Sequence, residues 1–214
     1  MEVVNIVVAR YKRDVEFAYK FNDGKNINVL VYDKENSQNP YNVPVNKGNE
    51  ASVYLKHIID FYDNLSEFTL FIHDEEFAWH HNGSLIDRYN DAKEFCIINK
   101  KSQFMSLNSC CQWKPGDEMP TDLWNDLLEW YKEHIEYIIP FSKIPHNSRF
   151  DFLTDHYGSA QFLLHKDLIR LLPKEFYEKI YNWLITTDVP NWKSGRYLEW
   201  TWHIFWTIYP KLKN

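Results

Sequence analysis

The chain of 214 residues has 44% hydrophobic and 17% aromatic residues and a formal charge of −6. Such a composition builds a sizeable core and excludes disorder. The acidic balance excludes general nucleic-acid binding, which needs a basic stripe against phosphate.

The opening MEVVNIVVARYKRD has no basic segment ahead of its apolar run, and the run is too short for a signal peptide. Val3–Ala9 predicts a strand buried on both faces. DVEFAYKF predicts a short helix capped by Asp14. Ile27–Asp33 predicts a second strand, followed by an irregular Asn- and Pro-containing loop. From Glu50 the period changes: Ala51, Tyr54, Leu55, Ile58, Ile59 and Tyr62 form one helical stripe, with Asn49 as its cap. FTLFI is a third strand. Strand, strand, helix, strand, with apolar strands, implies an α/β sheet covered on both faces.

SLIDRYNDAKEF predicts a helix opened by a Ser84/Asp87 pair, and Phe95–Asn99 predicts a further strand. Thr121 caps an amphipathic helix, TDLWNDLLEWYKEHIEYI. YGSAQFLLH reads as a strand, DLIRLLPKEFYEKIYNWLI as one or two helices interrupted before Pro173, and the aromatic end as a helix following Gly195. No repeat, clean linker or bilayer-length apolar stretch occurs, so a single domain over 1–214 without a transmembrane segment is expected. Cys96, Cys110 and Cys111 form no C-x-x-C spacing, which suits a reducing, cytoplasmic setting.

The chemistry concentrates in FTLFIHDEEFAWHH, where His73, Asp74, Glu75 and Glu76 end the third strand. In open parallel sheets ligands collect beyond the carboxyl ends of strands. If the chain stays extended, residues 74 and 76 share a side, and hard cations such as Mg2+ or Mn2+ favour their oxygens. The competing reading is a solvated acidic turn. Arg10 and Tyr11 leave the first strand at the same edge, one suited to phosphate and the other to stacking on a base. Asp33 ends the second strand and suits a uracil or ribose donor.

Asn46–Glu50, with Lys47 and Gly48, is either a phosphate or ribose loop or simply the turn before a helix. Gly158 and Ser159 leave room for a sugar or serve helix–sheet packing. Glu199 and His203, four apart, share a helix face, where His203 can complete a metal shell and Glu199 can serve the acceptor. Trp79, Trp113 and Trp202 are possible sugar platforms, although with nine Trp most are structural. GxGxxG, the P-loop, G-x-S-x-G and HEXXH are all missing.

The ordered blocks VVARYKRDVEF, VPVNKGNEASVYLKHIIDFYDNL, FTLFIHDEEFAWHH, GSAQFLLHKDLI and SGRYLEWTWHIFW resemble a family of cellular and viral proteins catalogued as a domain of unknown function. They are similar in particular to the N-terminal glycosyltransferase domain of a multidomain chlorella-virus protein.

The resemblance implies a GT-A-like nucleotide-diphospho-sugar transferase fold, a central mixed sheet flanked by helices. It also implies Mn2+ or Mg2+ as cofactor, a UDP-sugar donor and a carbohydrate or glycoprotein acceptor. Under it a hexosyl or deoxyhexosyl group is transferred, further domains belong to the full-length protein, and the host cytoplasm is the setting if the chain is viral. The family's Asp-x-Asp motif falls on Asp74-Glu75-Glu76. Asp74 then bridges metal and ribose, and Glu76, His73 and His203 are metal ligands. Arg10, Tyr11, Asp33, Lys47, Gly48 and Ser159 hold the donor, and Asp155 and Glu199 are candidate catalytic carboxylates. A metal-dependent phosphohydrolase and a non-catalytic glycan-binding module are the alternatives.

Overall fold

The computed structural model describes residues 3–109, 121–144 and 160–213. A five-stranded mixed sheet lies at its centre, in the order β2-β1-β3-β5-β4. Here β1 is Val4–Arg10, β2 Ile27–Asp33, β3 Phe68–His73, β4 Phe104–Ser106 and β5 Phe162–His165. The first three strands are parallel, and β5 runs antiparallel to both β3 and β4.

The two-residue side-chain period divides the strands between two cores. Val7, Ala9, Tyr32, Phe71, Phe162 and Leu164 face one. That core is completed by α1 (Ala51–Phe61), α3 (Thr121–His134), α5 (Lys174–Thr186) and α6 (Asn191–Glu199). Ile6, Val8, Leu70, Ile72 and Leu163 face the other, against the 3₁₀ turn Glu16–Phe21 and α2 (Leu85–Ala92). The remaining α-helices among the described residues are short, α4 (Lys166–Arg170) and α7 (Tyr209–Lys213). No helix among the described residues is long and apolar enough to cross a membrane.

Five local expectations change. Phe95–Asn99 is not a strand: α2 continues into a π-helical turn, Lys93–Ile98. The Ser84/Asp87 capping box starts the helix, and afterwards Cys96 is buried and Ile97 packs against the core while Phe95 and Ile98 stay exposed. Asn49 does not cap α1. It has φ +50°, and the cap position falls to Glu50, with no side-chain cap bond. The aromatic end is not one helix: α6 begins at Asn191, after Pro190, so Gly195 lies inside it, and it stops at Glu199, with a π-helical turn, Ile204–Ile208, leading into α7. The strand around YGSAQFLLH is the shorter β5, with Tyr157–Ser159 outside the described residues. Nor does Asp14 cap its short helix: the cap position falls to Val15, with no side-chain cap bond, although Asp14 Oδ1 accepts from the Glu16 N–H at 2.8 Å.

Candidate functional site

Strand β1 lies between β2 and β3. The chain leaves β1 toward one neighbour and returns through α1 to the other, and such a reversal opens a crevice at the strands' carboxyl ends. A cleft of about 690 Å3 occupies this edge. Ala9 and His73, paired across β1 and β3, both line it.

Asp74 lies one residue beyond β3 and accepts from the Tyr11 N–H at 2.7 Å. That bond ties the two strand ends together. Its other oxygen takes no hydrogen bond from a described residue. Tyr11, Asp74 and Glu75 line the cleft, but Glu76 does not. The chain bends at Asp74 instead of staying extended, so the two-residue repeat stops there. Glu75 pairs with Arg13, and Glu76 lies near Lys20 Nζ at 3.4 Å. The expected convergence of 74 and 76 is therefore absent. Among the described residues, no three His, Cys, Asp or Glu side chains converge as a metal cluster.

The cleft also holds Glu50 and Lys34, which spacing did not single out, beside Glu199 and His73, which it did. Glu50 starts α1 with a side chain only 15% exposed, and its Oε2 lies 4.0 Å from His73 Nε2. Burial first, then the nearby Asp74 charge, pushes its carboxyl up to about 7, against its own backbone hydrogen bond and Lys34. Glu199, the last residue of α6, lines the same cleft and is likewise pushed up to about 7, by burial and then by Glu50. Lys34 donates to the Asn49 carbonyl, and burial brings its ammonium down to about 8 although Glu50 and Asp74 favour its charge. Burial holds His73 neutral, down to about 4, despite Asp74 and Glu75.

The only sequence signal for Glu50 was its place at a helix start, where acids are common for a bland reason. Lys34 carried no signal, since its ammonium reaches the cleft only after the loop folds back.

The remaining candidates divide. Arg10 and Asp33 pair with each other across β1 and β2, and Asp33 also accepts from the Glu35 N–H at 2.9 Å. Neither lines the cleft. Lys47 donates to the Val189 carbonyl at 2.8 Å, holding the loop before α1 to the one before α6. Gly48, at φ +61°, is buried under Leu184, whose Cδ1 would lie 2.4 Å from an added Cβ. The close approach it permits is that of a core side chain. Gly195 does the same for α6: an added Cβ would sit 3.2 Å from the Gly48 carbonyl carbon.

His203 is buried in the last helical segment and is not part of the lining. Trp202 is not a platform: it is buried and stacked on Trp206, with ring centroids 5.2 Å apart. Trp79 does line the cleft, and so does Trp192, which spacing passed over. Asp155, Ser159, Gly158, Trp113, Cys110 and Cys111 lie outside the described residues.

The mixed sheet between helices is a glycosyltransferase-like α/β fold. A similar solved structure is that of the WbbM bifunctional glycosyltransferase in its apo form, with TM-score 0.53 and 12% identity. The likeness covers 99% of this chain and 43% of that one, so this chain spans less than half of its neighbour's length. The family described as a protein of unknown function, DUF3431, matches residues 6–212, and the chain belongs to that family. No curated protein matches it.

Proposed function

We propose that the protein is a GT-A-type glycosyltransferase that moves a sugar from a UDP-sugar to a carbohydrate or glycoprotein acceptor. The observation carrying this reading is the cleft at the carboxyl edge of β1 and β3, with Asp74 at the strand end and Glu50, Glu199 and Lys34 around it. In the reaction the bond from the anomeric carbon to the donor's diphosphate breaks, and a bond to an acceptor oxygen forms. Lys34 offers charge to the departing diphosphate, and the ionised form of Glu199 takes the acceptor's hydroxyl proton.

Asp74, with one oxygen bound by the Tyr11 N–H, is the residue to hold a divalent cation, and His73 lies beside it. The donor set fits Mg2+ or Mn2+ completed by phosphate oxygens, since such ions need only one or two carboxylates from the protein. When bound, the cation would supply positive charge next to the leaving group. Tyr11, exposed at the end of β1, is the ring to meet the base. The pairing of Arg10 with Asp33 supports the edge on which it rests.

The test is a thermal-shift titration with UDP, GDP, CMP and dTDP, each with Mn2+, Mg2+ or EDTA. UDP with metal at one hundred times its dissociation constant should stabilise the fold by about 2.7 kcal/mol. Asp74→Ala should abolish that shift. Stabilisation that survives both EDTA and Asp74→Ala would overturn the metal assignment. A nucleotide-independent melting temperature would overturn the donor reading and favour a binding module. Cleavage of the donor's diphosphate bond without an acceptor, at two closely spaced metals, would mark a phosphohydrolase.

A further inference from the structure

Two tryptophans stand exposed at the cleft, Trp79 at 69% and Trp192 at 57%. They come from separate elements: Trp79 from the turn after β3, and Trp192 from the first turn of α6. What sets them apart from the other exposed apolar residues is that both open onto one cleft, where their flat faces can meet a ligand.

Neither ring hangs on a loose support. Trp192 follows Asn191, whose Nδ2 donates to the Asn46 carbonyl at 2.9 Å, so the start of α6 is tied to the loop before α1. The Trp79 ring packs edge-on against the buried His80 ring, with centroids 5.5 Å apart.

The nearby charges narrow the occupant. Arg13 is paired with Glu75, and the Arg196 guanidinium lies over the Trp200 ring, 5.8 Å from its centroid. Glu199 and Glu50 line the same cleft, where Lys34 favours the charge of Glu50 and Arg196 that of Glu199 without outweighing burial. With Lys34 serving the diphosphate in the reading above, a sugar bearing carboxylate or sulfate would meet four lining acids, Glu50, Asp74, Glu75 and Glu199, against Arg196 and an Arg13 already paired with Glu75. A neutral pyranose offers C–H faces for the indoles and hydroxyls for the carboxylates.

We infer that Trp79 and Trp192 form the acceptor subsite and stack on neutral pyranose rings of the receiving glycan. This inference rests on the glycosyltransferase reading and adds to it the chemical class of acceptor. The subsite is distinct from the nucleotide's: Tyr11 serves the base, and the two indoles serve the acceptor.

The experiment presents the full chain, with UDP and Mn2+, to an array of neutral oligosaccharides together with sialylated and sulfated ones. UDP binding is measured in parallel by calorimetry. Neutral oligosaccharides should be retained. Trp79→Ala and Trp192→Ala should each weaken that binding about tenfold or more, as for central aromatic contacts, and Trp→Phe should restore most of it. UDP affinity should stay within about twofold in every variant.

Three results overturn the inference while leaving the donor reading intact. They are UDP binding with no glycan retained, preference for the acidic glycans, and neutral binding unchanged in both alanine variants. A loss of UDP affinity in those variants also overturns it, assigning the indoles to the base. If wild-type protein binds neither UDP nor glycan, both readings fail.

Discussion

Replacing Glu199 with Gln isolates the cost of placing a second carboxyl in the cleft. Its ordinary value of 4.5 is raised to about 7 in the folded chain, by burial first and then by Glu50. Between these two values the folded state holds a proton that the unfolded state has released. Stability therefore falls as pH rises from about 4.5 to about 7 and stays low above it. The difference of 2.5 between the printed values, at 1.36 kcal/mol each, corresponds to about 3 kcal/mol as an upper bound.

The carboxylate also ends α6, where negative charge opposes the helix dipole by about 0.5 kcal/mol. Both effects have one sign, so removing the charge stabilises the fold. In urea unfolding without added metal, Glu199→Gln should match the wild type at pH 5 and exceed it by about 2 to 3 kcal/mol at pH 8. For a chain of 214 residues that is a rise in Tm of roughly 5–10 °C. A difference that does not grow with pH, or a Gln variant less stable at pH 8, would refute the reasoning.

Gly48→Ala combines a left-handed backbone, at about 1–2 kcal/mol, with overpacking against Leu184, at about 1–3 kcal/mol. A net loss of about 2–4 kcal/mol is expected in urea, and a loss below about 0.5 kcal/mol would mean the loop bends freely. Trp202→Ala should destabilise by about 3–5 kcal/mol, because it empties a buried stack. Trp192→Ala, exposed, should stay within about 0.5 kcal/mol of wild type, and equal losses in the two would contradict their assignment to core and cleft. Glu76→Gln, at a residue outside the cleft lining, should change Mn2+-dependent UDP affinity less than about threefold, whereas Asp74→Asn should weaken it at least tenfold. Equal effects would bring Glu76 back to the cation.

The parallel strands were legible because apolar runs such as Val4–Val8 and Phe68–Ile72 are buried on both faces, and few other patterns produce that. The position of Asp74 was legible for the same reason: a chain leaving a buried strand must deliver its first polar residue to the sheet edge. FCIIN was not legible, since a short apolar run has no period long enough to separate strand from helix. Nor was the fate of Gly48, whose φ and whose neighbour Leu184 are set by α5, far away in sequence. Trp202 and Trp192 look alike in a sequence. What separates them is that Trp202 lies in the stacked core with Trp206, while Trp192 sits on the first turn of a helix opening to the cleft.

The site is assembled less by the acidic turn than by two glycines. Gly195 lets α6 approach the Gly48 backbone, and Gly48 in turn admits Leu184 of α5. A Cβ at either position would push helix from loop, and Glu50 and Glu199 are carried on the two sides of that contact. The same approach secures the loop before α1, where Lys47 bonds to the Val189 carbonyl and Asn191 to the Asn46 carbonyl. Backbone closeness is thus what brings two acids of like charge into one cleft, at a cost in stability above neutral pH that a purely structural contact would not require. An amide at position 199 would remove that cost, and under the proposed function the carboxyl is the group that takes the acceptor's proton.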